Sequence, residues 1–205
     1  MASDPIRDQK NDYLLTPENA ALVIIDYQPV QVSSIRSMDS DQMVKNMKNL
    51  ARIAKLYNLP IVLSTVNVST GANKPTIDAL TEVLGDDVVA IDRTSINSWE
   101  DKDFRAAVEA TGRKKILMTA LWTEACLSLP SLDMLHEGYE VYPVADALGG
   151  TSKEAHDIAL RRLEAAGAQT VGWVQVACEL QRDWNREETS KEFANILFGD
   201  EGIFA

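Results

Sequence analysis

The sequence predicts a three-layer α/β/α sandwich built on a six-stranded, mainly parallel sheet. Three observations predict it. Short apolar runs alternate with amphipathic segments of ten or more residues along nearly the whole chain, the pattern of strands joined by crossover helices. The runs are continuous rather than alternating, as strands buried on both faces require. The 205 residues have an ordinary globular composition, 45% hydrophobic and 25% charged, with no internal repeat, low-complexity tract or linker, so a single domain over 1–205 is expected.

Residues 1–19 read as a polar N-terminal arm. The run 20–26, Ala-Ala-Leu-Val-Ile-Ile-Asp, opens the sheet as an unbroken apolar strand ending on a carboxylate. Asp39 or Ser40 caps a helix to about Tyr57, in which Met43, Met47, Leu50, Ile53, Ala54 and Tyr57 recur at helical spacing. Pro60 precedes a second strand at 61–66. A polar loop at 67–75 then leads to a short helix, 76–84, that Gly85 stops. The third strand is expected at 88–91, followed by Asp92, Arg93 and a loop to Trp99. A helix over 101–110 ends near Gly112, and 115–121 form the fourth strand. The next helix carries Cys126 at its start and runs to Glu137, before Gly138. The fifth strand covers 139–144. Gly149-Gly150 read as a tight turn before Thr151-Ser152-Lys153-Glu154, a capping-box pattern that launches a helix to about Ala166. A sixth strand is expected at 168–172, then two C-terminal helices, 174–183 and 188–197, placed in a segment (173–205) suited to subunit contacts.

Twenty Lys and Arg against 31 Asp and Glu give a net charge of -11, which argues against nucleic-acid and anionic-membrane partners, both of which need basic patches. No apolar stretch reaches the roughly 18 residues of a membrane span, and residues 1–11 are polar rather than signal-like, so a cytoplasmic location is expected. Cys126 and Cys178 are too few for a disulfide framework and read as reduced thiols. Dinucleotide fingerprints, P-loops and zinc-binding helices are absent, and no cofactor is expected.

Ligands of open parallel sheets bind beyond the carboxyl ends of the strands. Asp26, Arg93 and Cys126 all follow strands and so point to one rim. Each has a plainer reading: a turn former, a surface ion pair, a packed thiol. The two histidines offer no obvious base, since His136 lies about 15 Å along the helix from Cys126 and His156 reads as a surface residue. If the thiol has a base, a carboxylate is then the better candidate, and Asp26 is the one at this rim. An unperturbed Asp and Cys are mismatched by more than about 4 pKa units, roughly 6 kcal/mol. Burial is expected to raise Asp26, while the helix start and Arg93 lower Cys126.

Asp26-Tyr27-Gln28, the cation followed by Ile96-Asn97-Ser98-Trp99, and Ala120-Leu121-Trp122-Thr123-Glu124-Ala125-Cys126 together resemble the three signature blocks of the isochorismatase-like cysteine hydrolases, a superfamily that includes nicotinamidase and N-carbamoylsarcosine amidase. The resemblance spans about 20–172. Residues 176–184 are similar to the C-terminal segment of its YcaC-like branch, whose members assemble as octamers without a settled substrate. What the resemblance implies is a Rossmann-like topology and a homo-oligomer, an octamer by that likeness. It also implies a catalytic triad of Asp26, Arg93 and Cys126, with Arg93 in place of the customary Lys. A cis peptide at Leu121-Trp122 would turn the Trp122 N–H, with that of Cys126, into an oxyanion hole. Tyr27, Gln28, Asn97, Trp99 and Thr123 adjoin the blocks and are the expected contacts of a small-molecule substrate. Nicotinamidases hold a metal with Asp and His from the loop after strand two; here 67–78 has no His and only Asp78, so no metal is expected. An amidase-type thiol hydrolase is the leading expectation. A silent ligand-binding or scaffold protein and a vinyl-ether hydrolase are the alternatives.

Overall fold

A computed structural model of the chain describes residues 1–4 and 7–204. Its sheet has five parallel strands: β1 (Ala20–Ile25), β2 (Ile61–Val66), β3 (Ile91–Arg93), β4 (Lys115–Ala120) and β5 (Glu140–Pro143), in the order β3-β2-β1-β4-β5. All six β1 residues are buried, as the unbroken apolar run requires. β1 is central, paired with β4 from Ala20 opposite Lys115 to Ile25 opposite Ala120. Its other edge pairs with β2 from Leu22 opposite Ile61 to Ile25 opposite Ser64.

Helices cover both faces. They are α1 (Pro29–Ser33), α2 (Ser40–Leu56), α3 (Asp78–Leu84), α4 (Lys102–Ala110), α5 (Ser128–His136), α6 (Lys153–Ala165), α7 (Trp173–Gln181) and α8 (Ser190–Phe198). Strand alternation sorts the core into two layers. Leu22, Ile24, Leu63 and Leu117 point to α2, α3, α7 and α8, whereas Ala21, Val23, Ile25, Ile116 and Met118 point to Phe104 and Val108 of α4, Met134 of α5 and Leu163 of α6. Asp39 caps α2 by accepting from Gln42 N–H at 2.8 Å, and Ser152 caps α6 by accepting from Ala155 N–H at 3.0 Å. Among the described residues, no helix is long and apolar enough to cross a membrane.

Three expectations are corrected. The sixth strand at 168–172 is reduced to a single bridge between Val144 and Val171. Gly167 (φ 108°) ends α6 and Gly172 starts α7, so too few residues remain between them to form a ladder, although Gln169 and Val171 N–H still donate to Val141 and Pro143 oxygens. The third strand lies at Ile91–Arg93 rather than 88–91, which makes Arg93 its last residue. Gly149-Gly150 do not form the expected tight turn. Leu121 bridges to Gly149 in parallel, and a Cβ at Gly149 would stand 2.8 Å from Ile35 side-chain carbons, so the glycine serves close approach.

The N-terminal arm is fastened to α7: Leu15 N–H donates to Glu179 at 2.8 Å, and Arg182 donates to the Leu15 carbonyl at 3.0 Å. Glu201 pairs with Lys48 and Arg52 of α2, closing the C-terminal tail onto the same layer.

Candidate active site

Beyond β1 the strand order runs outward in both directions, to β2 and β3 on one side and to β4 and β5 on the other. A crevice opens at such a reversal, above the carboxyl ends of the central strands. Asp26 immediately follows β1, Arg93 ends β3, and Cys126 lies six residues beyond the end of β4.

Asp26 holds a left-handed backbone, φ 62°, a conformation that Asp tolerates better than most residues. Its N–H donates to Ser64 O at 3.0 Å and its carbonyl accepts from Gln28 N–H at 2.8 Å. The carboxylate receives both ends of the Arg93 fork, Nη1 to Oδ1 at 3.0 Å and Nη2 to Oδ2 at 2.9 Å, while Nη1 also donates to Thr65 O at 3.2 Å. Both side chains are fully buried. Such a bidentate pair fixes geometry as well as charge. The Cys126 thiol lies near the same carboxylate, close enough for each group to shift the ionisation of the other. Burial raises Asp26 above the usual carboxylate range, with Arg93 opposing the shift.

Cys126 departs from expectation. Burial, then the charge of Asp26, pushes its thiol up to about 12, against smaller opposing effects from Arg93 and the Trp122 backbone N–H. The physical reason is position: residues 123–127 form a π turn and α5 begins only at Ser128, so the sulfur sits in a buried turn rather than at an open helix end. The resting state is a neutral thiol beside a carboxylate that is paired with Arg93.

The Leu121-Trp122 peptide is cis. Leu121 N–H donates to Ile25 O at 3.1 Å, which ties this peptide to the end of β1. The Trp122 carbonyl accepts from Ala125 and Leu127 N–H at 3.1 and 3.2 Å, and its N–H faces the sulfur. The indole Nε1 donates to Ser34 Oγ at 2.6 Å.

The expected substrate contacts are placed unequally. Thr123 is fully buried beside the cis peptide. Gln28, also buried, accepts from Val66 N–H at 3.0 Å and donates to Lys74 O at 2.6 Å, which pins the loop after β2 to the rim. Tyr27 is buried, and its hydroxyl donates to the Ala147 carbonyl. Asn97 caps the short 3-10 turn at Ser98–Glu100 and donates to Asp133 at 2.8 Å. Trp99 stands apart: its ring packs edge-on against Phe104 and Tyr139, and Nε1 donates to Glu137 at 3.0 Å, beyond the far end of α5. Cys178 is exposed.

Two residues of this region were not legible as such. His156 reads as a surface residue in sequence, yet it is half-buried with Nδ1 2.8 Å from Thr123 Oγ1. Ser34 follows α1, a five-residue helix too short for periodicity to reveal; Pro29 at its first turn was the available signal.

A model described as the isochorismatase domain matches residues 20–175. The chain is 35% identical over 187 residues to the probable hydrolase YcaC of Escherichia coli (strain K12), covering 91% of this chain and 86% of that protein. Among solved structures, YcaC from Pseudomonas aeruginosa with hexane-2,5-diol and covalent acrylamide superposes with a TM-score of 0.84 at 36% identity, covering 90% of each chain. The Escherichia coli YcaC gene product, described as an octameric hydrolase of unknown specificity, gives 0.84 at 34% identity over 94% of each chain.

Proposed function

Because the chain belongs to the isochorismatase family, we propose that it is a cysteine hydrolase that cleaves the C–N bond of a small amide-type substrate through a thioester. The observation that carries this reading is the contact set of one thiol, one carboxylate and one cation: Cys126 on Asp26, and Asp26 on both arms of Arg93. A buried carboxylate of raised proton affinity beside a neutral thiol is arranged for proton transfer during attack rather than before it. The covalent acrylamide in the Pseudomonas aeruginosa relative supports a reactive nucleophile in this family.

In the proposed cycle, Asp26 takes the thiol proton as sulfur bonds to the carbonyl carbon. The carbonyl electrons move to oxygen, which is received by the Trp122 and Cys126 N–H groups. Collapse of this intermediate breaks the C–N bond, and Asp26 delivers its proton to the leaving nitrogen. Water then adds to the thioester, giving a proton to Asp26. Acid leaves as the sulfur departs and regains that proton. Arg93 keeps its charge throughout, because a guanidinium does not deprotonate at working pH. No cofactor takes part, and the active form is a homo-oligomer in the cytoplasm.

The vinyl-ether alternative uses Asp26 as acid but leaves the paired thiol without a task. The silent-scaffold alternative predicts an inert Cys126. A screen of small amides with mass spectrometry of the quenched protein decides between them. An acyl adduct on Cys126, and loss of turnover by at least about 10³-fold in Cys126→Ala, is the expected result. Full activity in that variant overturns the mechanism.

A further inference from the structure

The turn that carries Cys126 is held by a residue the proposed chemistry does not use. Thr123 lies between the cis peptide and the nucleophile, and each of its polar groups is engaged. Its N–H donates to Gly149 O at 2.9 Å, its carbonyl accepts from Ser128 Oγ at 2.8 Å, and its Oγ1 meets His156 Nδ1 at 2.8 Å. The neighbouring Glu124 reaches the same place: Oε1 accepts from Thr151 N–H at 3.0 Å and from the Thr151 hydroxyl. Glycine at 150 permits this approach, since a Cβ there would stand 2.6 Å from Glu124 Oε2 and 3.1 Å from His156 Cβ. The start of α6 is thereby clamped onto the nucleophile turn.

We propose that His156 is a positioning residue of the hydrolase: through Thr123 its neutral imidazole fixes the backbone between Trp122 and Cys126 that receives the oxyanion, and protonation releases it. The inference rests on the cysteine-hydrolase reading above. A neutral ring with its proton on Nε2 offers the Nδ1 lone pair to the Thr123 hydroxyl. Once protonated, Nδ1 becomes a donor, and the buried hydroxyl must turn its own hydrogen away from His156. The charged groups facing the ring are Glu124 on the turn and Asp157 and Lys153 on α6; Thr123 supplies the hydrogen bond. Burial holds the imidazole below its ordinary value, opposed by Asp157 and Glu124, so the ring is neutral at physiological pH.

Two probes separate this role from general support of the fold. Acylation of Cys126 by p-nitrophenyl acetate forms an oxyanion, whereas alkylation by iodoacetamide requires the sulfur alone. In the full-length protein, His156→Leu is expected to slow acylation about tenfold and leave alkylation within about twofold of wild type, as a misplacement of oxyanion donors predicts. His156→Asn, which keeps a hydrogen-bonding group but cannot ionise, is expected to recover most of the acylation rate and to lose the acidic fall that the wild type shows in the ratio of acylation to alkylation, a ratio in which the titration of Asp26 cancels. Equal losses in both reactions, an unchanged His156→Leu, or an acidic fall in the acylation-to-alkylation ratio that survives in His156→Asn each overturn the proposal. Cys126→Ala tests the underlying reading: acylation undiminished without the thiol overturns both, while thiol-dependent acylation indifferent to His156 overturns this inference alone.

Discussion

Replacing Asp26 by Asn removes a negative charge and a proton acceptor at once, and the two losses act on Cys126 in opposite directions. The charge of Asp26 helps to raise the thiol, so its removal is expected to bring the ionisation midpoint down from about 12, read by the ultraviolet absorbance of the thiolate. Turnover of an amide is nevertheless expected to fall by about 10²-fold or more, because the acceptor that also protonates the leaving nitrogen is gone. A lower midpoint with preserved turnover would remove Asp26 from the mechanism. Arg93 is a different case, since Arg93→Met leaves a carboxylate buried without its partner. A cost of about 3–5 kcal/mol in urea unfolding is expected, with a smaller loss for Arg93→Lys, which keeps the charge but not the fork. Asp26, Arg93 and Cys126 were legible in the sequence because each lies at or beyond the carboxyl end of an expected strand. The direction of the Cys126 shift was not, since it depends on burial that a single chain position does not display.

Among the elements, strands with continuous apolar runs were readable almost to the residue, because burial on both faces leaves no other composition for them. The short pieces were not. β3 is only three residues long and paired on one edge, so Val88 and Val89 compete with it as apolar signals; Val89 is in fact largely exposed. The π turn at 123–127 looked like the first turn of a helix because it has the same composition. The contact between Gly149 and Ile35 gives this scale its own measurement. Gly149→Ala inserts a methyl against three Ile35 carbons at 2.8 to 2.9 Å, and a loss of about 1–3 kcal/mol is expected. Ile35→Ala in the same chain is expected to make the Gly149→Ala change much cheaper. Additive losses in the double-mutant cycle would show that the two positions do not press on each other.

Across the whole molecule, fold class was fixed by the alternation of runs and helices, and the segment expected to make subunit contacts, 173–205, carries an exposed aromatic surface that sequence order alone does not display. Trp184, Phe198 and Phe204 form a stacked row, with ring planes 15° and 19° apart at successive pairs. Phe204 is 82% and Trp184 61% exposed in the single chain. Exposed aromatic rows of this kind mark contact surfaces. With a charge of -11 on every copy, assembly is expected to tighten as salt screens the repulsion. Light scattering is expected to give a multiple of the chain mass for the wild type and a smaller particle for Phe198→Asp; a wild type at the mass of one chain would end the oligomer proposal.

The seam between β1 and β4 divides the chemistry as well as the sheet. The acid and its cation lie before Gly112, and the thiol, the cis peptide and His156 lie after it, so each half of the chain is chemically incomplete. The six residue pairs that join β1 to β4 are the joint across which the halves of the proposed catalyst meet. A chain cut in the turn at Gly112 is in this sense a two-part lock, inert as separate pieces, whose activity would report the docking of one half on the other.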